Sequence, residues 1–286
     1  MKRVLITGAN SYIGTSVETW LNKYSDQFHV DTVDTINDAW KQVDFSQYDV
    51  VYHVAGIAHV KAKKSQEELY YTVNRDLTID VAKTAKTSGV KQFIFMSSVI
   101  VYGESKSLKP VIITKDTLPS PNGFYGDSKL QAEKGLQELN DDSFKVVILR
   151  PPMIYGPESK GNFPRLIKLA RVLPVFPAFH NKRSMLYIDN LCEFVRLVIL
   201  QEEKGVFFPQ NSEYSDTSEL VKQLATLQGK KIHLVKWLVP FVHVFSPFIN
   251  SINKLFGSLV YDTQLSDKSE YAIVSQAESL KRVVEI

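Results

Sequence analysis

Met1-Lys2-Arg3-Val4-Leu5-Ile6-Thr7-Gly8-Ala9-Asn10-Ser11-Tyr12-Ile13-Gly14 opens the chain, and its reading decides the fold. A basic start, a short apolar run and a glycine turn are followed by Val17, Trp20, Leu21 and Tyr24 at helical spacing, which predicts strand–turn–helix. Such a turn aims backbone N–H groups and a helix N-terminus at a bound pyrophosphate, where the helix dipole favours negative charge. Gly8 permits the tight turn, and Gly14 lets helix and strand approach closely. Ser11 stands where a third glycine is expected. Its side chain either holds the phosphates slightly further out or gives them a hydroxyl contact.

Outward from this turn, strand and helix alternate. Lys2–Thr7, His29–Asp34, Val50–Val54, Gln92–Met96 and Lys145–Leu149 are rich in Val, Ile and Phe and read as strands. Helices are expected at Gly14–Tyr24, Glu67–Lys86 and Phe124–Leu139. Ser65 with Glu68 makes a capping box for the second, and Gly89 lies just past its end. This alternation predicts an α/β fold, a doubly wound parallel sheet with ligands at the carboxyl ends of its strands. The Asp34–Val50 stretch is short for a full crossover helix. Asp34 ends the second strand 20 residues after Gly14, where an acid accepts hydrogen bonds from the adenosine ribose, with Asp31 as the fallback. No Arg or Lys lies between Asp34 and Lys41 to hold a 2′-phosphate, so NAD is favoured over NADP. His53 and His59 have no Cys or acid at ligand spacing, and no metal site is expected.

Further along, Tyr125 and Lys129 stand four residues apart at the start of a predicted helix and share one face. A lysine ammonium beside a phenol stabilises the phenolate, so the tyrosine pKa is expected to fall from its usual value of about 10. A tyrosine tuned in this way exchanges a proton with an alcohol or a carbonyl.

The glycine turn, the Ser97-Ser98 strand end and Tyr125/Lys129 occur in this order along one chain. Together they resemble the extended short-chain dehydrogenase/reductase family, in its nucleotide-sugar epimerase, dehydratase and reductase branch. The family's Thr-Gly-x-x-Gly-x-x-Gly pattern matches Thr7 to Gly14 except at Ser11. Its Ser-Ser-x-x-Val-Tyr-Gly pattern matches Ser97 to Gly103 throughout, and Tyr-Gly-x-Ser-Lys matches Tyr125 to Lys129. Leu149 to Pro157 and Arg183 to Asn190 look like two further signatures. The resemblance runs to about residue 200 and then thins.

The resemblance implies a Rossmann-like fold, NAD as cofactor and a nucleotide-sugar substrate. Ser98, Tyr125 and Lys129 are the catalytic candidates, Ser98 binding the reacting sugar oxygen and Lys129 also the ribose hydroxyls. The cofactor set is Gly8, Asn10, Ser11, Tyr12, Ile13, Gly14, Asp34, Ala55, Gly56, Tyr125, Lys129 and Pro152. Arg183 is the candidate clamp for the substrate's pyrophosphate and Asn162 a second, beside Ser98 on the sugar. Asn74, in the middle helix, is read either as touching the cofactor side of the sheet or as an ordinary polar helix residue. Dehydratases of this branch place an Asp-Glu pair directly after the residue corresponding to Ser98. Val99 and Ile100 stand there and can neither protonate a leaving hydroxyl nor remove a C5 proton. Two reactions remain open, 4-epimerisation through a transient ketone and net reduction of a 4-keto sugar. The first is preferred. A non-catalytic dinucleotide sensor is the remote alternative, disfavoured because Tyr125 and Lys129 are both kept. The family also implies a homodimer through the helices at Glu67–Lys86 and Phe124–Leu139, with Leu69, Val73, Leu77 and Val81 as an apolar stripe.

Composition sets wider bounds. The 286 residues suffice for a nucleotide-binding domain over 1–150, joined by a later segment at about 183–200, and a substrate lobe over 151–286. In that lobe, helices are expected from Phe163 to Arg171 and from Asp189 to Leu200. A net charge of +3 argues against nucleic acid as a partner. A single cysteine, Cys192, and an apolar run at Val4–Ile6 too short for a signal peptide lead to the expectation of a cytoplasmic protein. Trp237–Phe256 is the most apolar stretch. Its prolines, asparagines and lysine argue against a membrane span and for packing within the lobe, with a dimer or membrane-surface contact as the sharper alternative.

Overall fold

In the computed structural model, which describes residues 1–58, 64–104, 107–266 and 270–285, Lys2–Thr7 forms β1 and Tyr12–Leu21 forms α1. Strands follow at Phe28–Val33 (β2), Val50–His53 (β3) and Gln92–Met96 (β4), then at Lys145–Leu149 and Gly205–Phe207. All six run parallel in one sheet, in the order Gly205–Phe207, Lys145–Leu149, β4, β3, β1, β2. Their Val, Ile and Phe content reflects helices packed over the sheet. Leu5, Val51, Phe93, Phe95 and Ile148 are buried with Val81, Ala85, Ala132 and Leu136 from helices. This is the doubly wound, Rossmann-like sheet that the alternation predicts.

Two 3₁₀ segments, Ile36–Gln42 and Phe45–Gln47, are all that separate β2 from β3. Among the described residues β2 is the last strand on its side of the sheet. From β1 the chain steps to β2 on one side and then to β3 on the other. The crevice outside the carboxyl ends at such a reversal is where open α/β sheets bind ligands.

The middle helix departs from expectation. Glu67–Tyr71 (α2) and Leu77–Thr87 (α3) are joined through a π turn at Thr72–Asp76. Burial varies along the expected stripe, part of which must face the sheet. Leu69 is 49% exposed, whereas Val81 lies in the core. The capping box is also absent: Ser65 lies in a 3₁₀ turn, and the α-helical cap, Gln66, makes no side-chain bond to the helix. Gly89 does sit just past the helix end, at φ +84°, with its N–H bonded to Lys86 O. Phe124–Leu139 (α4) has the expected bounds.

The chain divides into two compact units, 1–103 with 118–151 and 191–209, and 104–117 with 152–190 and 210–286. This differs from a boundary at 150. Residues 104–117 join the second unit because Val111–Ile113 pairs with Leu259–Tyr261, and 183–190 because Met185–Tyr187 pairs with Met153–Tyr155. Residues 201–209 stay with the first because Gly205–Phe207 extends its sheet. Helices at Phe163–Val172 and Ile188–Leu200 fall where the sequence places them. The apolar Trp237–Phe256 stretch breaks into two short helices, Val239–Phe245 and Asn250–Phe256. Among the described residues no helix is long and apolar enough to cross a membrane.

Candidate active site

At the carboxyl end of β1 the chain turns through Gly8 at φ +109° and Asn10 at φ +62°. Glycine is required at the first position. A Cβ there would stand 2.8 Å from Ala55 N, on the neighbouring β3 end. The N–H groups of Gly8 and Ala9 both donate to Val33 O, tying the loop to β2. Ser11 is the N-cap of α1, its Oγ accepting from Gly14 N at 3.1 Å. The serine in place of glycine therefore has a local structural use. The N–H of Ile13 finds no acceptor among the described residues and is available to an anion. Asp34 follows β2 directly, one residue beyond the strand rather than within it. Its Oδ1 accepts from Ile36 N at 2.9 Å, and its second oxygen has no partner among the described residues. This tight loop, with no side chain at Gly8, a free helix N–H and an acid beside it, fits a dinucleotide.

The proton-transfer candidates gather at the end of β4. Ser98 caps a 3₁₀ turn, Val99–Tyr102, with its Oγ accepting from Ile100 N at 3.3 Å. The first turn of α4 lies against this turn because Gly126 has no side chain. A Cβ on it would meet Ile100 O at 2.7 Å. That approach brings Tyr125 within hydrogen-bonding reach of Ser98. Lys129, one turn on, is buried and donates to Met96 O at 2.9 Å, with its Nζ 4.6 Å from the Phe95 ring centre. A Cβ placed on Gly56 would stand 3.1 Å from that Nζ.

The expected lowering of the Tyr125 pKa is not found. Removal from water pushes the phenol up to about 12, against a smaller downward effect of the Ser98 hydrogen bond. Lys129 gives it no help, since its ammonium is drawn to the Met96 carbonyl. Its own pKa falls to about 8 through burial, partly opposed by Glu133. In the free protein Tyr125 is thus a protonated phenol, an acid before it is a base.

A buried polar chain adjoining this site escaped the sequence reading. Glu133, one turn beyond Lys129, takes both Nε and Nη2 of Arg150 and accepts from the Ser97 hydroxyl. Arg150 Nη1 donates to the Tyr102 hydroxyl at 2.7 Å. Tyr125, Lys129 and Glu133 repeat every four residues, and that spacing was the available signal. Asn74 is fully buried. Its amide holds both backbone groups of Ile57 and donates to Ser128 Oγ at 3.2 Å, pinning the Gly56 segment to α4. His53 is a core histidine, bonded through both ring nitrogens to Thr7 and Thr78 and held neutral by burial, with its pKa pushed down to about 3. His59 lies outside the described residues.

Comparison with known proteins bears on the chemistry of this arrangement. Residues 4–208 match the model of the NAD dependent epimerase/dehydratase family. The UDP-glucose 4-epimerase of Vibrio cholerae is 33% identical over 93% of this chain and 85% of its own length. The chain belongs to this NAD dependent epimerase/dehydratase family. A 4-epimerase of Escherichia coli O157:H7, named for N-acetyl-α-D-glucosaminyl-diphospho-ditrans,octacis-undecaprenol, is 30% identical over 80% of this chain and 73% of its own. The crystal structure of the UDP-glucuronic acid 4-epimerase from Bacillus cereus with NAD superposes with a TM-score of 0.76. It covers 99% of this chain and 97% of that one at 22% identity, a likeness of fold. The chain is accordingly an NAD-dependent enzyme of the epimerase and reductase class.

Three candidates of the family reading lie in the second unit. Pro152 is buried at its start. Asn162 is exposed and precedes the Phe163–Val172 helix without a side-chain bond to it. Arg183 is turned onto the end of the Asn250–Phe256 helix. Its Nη1 donates to Lys254 O at 2.6 Å and to Leu255 O, and burial lowers its pKa. Its Nε and Nη2 make no hydrogen bond among the described residues.

Proposed function

We propose that this enzyme inverts C4 of a nucleotide sugar, a UDP-sugar, through a transient 4-keto sugar, with NAD held throughout. The observation that carries the reading is the Ser98–Tyr125 hydroxyl pair beside a turn without a carboxylate. Val99, Ile100 and Val101 follow Ser98, and none of them can drive dehydration. Tyr125 takes the proton of the C4 hydroxyl as the C4 hydrogen leaves as hydride, and gives it back to that oxygen when hydride is returned to the opposite face of the carbonyl, while Ser98 orients the sugar oxygen. Bound NAD supplies the hydride acceptor and, when oxidised, a positive ring charge that favours the phenolate. Gly8, Asn10, Ser11, Tyr12, Ile13 and Gly14 would hold its pyrophosphate, and Asp34 the adenosine ribose. Ala55, Gly56, Lys129 and Pro152 would line its path, and Arg183 and Asn162 would meet the substrate's phosphates.

The test uses the purified enzyme with UDP-glucose and no added cofactor, following the C4 configuration by proton NMR. Many turnovers without added NAD are expected, because an epimerase returns the hydride it removed. If no epimer forms while a UDP-4-keto sugar consumes NADH stoichiometrically, the enzyme is a reductase.

We also propose a homodimer through α2, α3 and α4, supported by the exposed Leu69, to be checked by light scattering at micromolar concentration. A reducing cytoplasm suits Cys192, which is buried and makes no disulfide.

A further inference from the structure

Between Leu220 and Tyr261 the chain has no Asp or Glu, and its only formal charges are five lysines. The rest of the molecule is the opposite, since the remaining 29 of 34 Lys and Arg are outnumbered by 31 acids. Within this basic segment a 3₁₀ turn, Lys236–Leu238, runs into the Val239–Phe245 helix, and a short turn leads to Asn250–Phe256. Val242, Ser246, Asn253 and Phe256 face inward, Phe256 against the rings of Phe176 and Phe179. Outward stand Trp237, 64% exposed, Phe241, 53%, and Phe248, 83%, with Val244, Phe245 and Ile249 also exposed. Large apolar side chains concentrated in this way on a surface mark an interaction site.

We propose that this face docks the enzyme on an anionic phospholipid surface. Aromatic rings on one side of a short helical segment, with lysines flanking, are the composition of an element that lies in a membrane interface. The charge fits. Lys222 pairs with Glu219 and Lys254 with Glu104, but Lys230, Lys231 and Lys236 have no acidic partner among the described residues. A second copy of the chain is a poorer occupant. A two-fold interface would set this lysine-rich face against itself. Two seven-residue helices cannot span a bilayer, so the segment lies on the surface. The docking stands apart from the identity of the sugar.

Co-sedimentation of the full chain with phosphatidylglycerol/phosphatidylcholine vesicles and with phosphatidylcholine vesicles tests this. Binding is expected on the anionic vesicles, weakened by salt, with a blue shift of Trp237 emission. Phe241→Ser with Phe248→Ser should lower the partition coefficient at least about tenfold, and Lys230→Gln, Lys231→Gln and Lys236→Gln about fivefold each. These positions are exposed, so circular dichroism and NAD affinity should match the parent and show that the variants fold. Failure of the parent to bind anionic vesicles overturns the proposal, as does unchanged binding by the folded Phe241→Ser/Phe248→Ser variant. A parent dimer that this variant turns monomeric also overturns it, and makes the face a subunit contact.

Discussion

Helix α4 and the Trp237–Ile249 segment invert the ordinary partition of side chains in opposite directions. On α4 the polar groups are inside: Ser128, Lys129 and Glu133 are all buried. On the other segment the rings are outside, Phe248 most of all. Either inversion is unfavourable unless something else requires it, since buried charge needs partners and exposed apolar area invites contact. The contrast teaches that a buried polar cluster prepares chemistry within the chain, whereas an exposed apolar cluster waits for something outside it. Hence the proposals are proton transfer for the first region and docking for the second.

The heaviest blow to the α4 side of the comparison is Tyr125→Phe. It keeps the ring and its contact with Tyr70 while removing the hydroxyl. The kcat should fall by about 10²–10⁴-fold, with NAD affinity nearly unchanged. Turnover within a fewfold of the parent would show that these buried polar groups serve structure alone.

Glu133→Leu sharpens the same contrast through stability. It leaves the buried Arg150 guanidinium without the carboxylate that takes two of its nitrogens. Loss of one partner of a buried pair should destabilise by about 3–5 kcal/mol, read from the denaturant midpoint. Adding Arg150→Met should recover most of the loss. A single variant as stable as the parent would mean that the pair is not holding α4 to the end of the Lys145–Leu149 strand.

Asp34 offers a smaller effect. If its second oxygen accepts from the ribose, NADP should bind at least about tenfold more weakly than NAD, since a carboxylate facing a 2′-phosphate is repulsive. Calorimetric titration of both cofactors into stripped protein decides, and equal affinities would remove Asp34 from the site.

Much of this was legible in the sequence because local rules and tertiary needs agreed there. Lys2–Thr7 and Phe124–Leu139 were read to the residue, one from a continuous apolar run and the other from helix formers after a glycine. Thr72–Asp76 was not, because a π turn has no compositional signature. The pairing of Val111–Ile113 with Leu259–Tyr261 joins segments some 150 residues apart, beyond the reach of any local pattern. At the site, residue types were readable and electrostatics were not. Tyr125 and Lys129 at four-residue spacing promised a lowered phenol, yet the lysine's reach to Met96 O depends on where β4 ends.

Burial of the Lys129 ammonium is itself measurable. With its pKa near 8 in the folded chain and at the usual 10.5 when unfolded, the unfolded state binds more protons between those values. Stability must therefore rise with pH from about 8 to 10.5 on account of this group, by about 1 kcal/mol between pH 7 and 9. Lys129→Met should abolish that rise, seen by comparing denaturation midpoints of parent and variant at the two pH values. A parent that gains nothing over the variant would mean that the ammonium is well solvated, and the buried-polar description of α4 would lose its central member.

The smallest effect belongs to a residue that fits neither side of the contrast. Ser11 is polar and partly buried, yet its hydroxyl is satisfied within one turn by Gly14 N–H. Glycine is nearly as good an N-cap as serine, whereas alanine is not. Ser11→Gly should therefore cost only a few tenths of a kcal/mol, and Ser11→Ala about 1 kcal/mol. If capping is the whole of its use, NAD affinity in Ser11→Gly should stay within about threefold of the parent, a difference below 1 kcal/mol. Calorimetry on the stripped protein reads this directly. A gain of tenfold or more would mean that the serine side chain holds the phosphates away from α1. The loop would then be tuned for cofactor exchange, which a reductase needs and an epimerase does not.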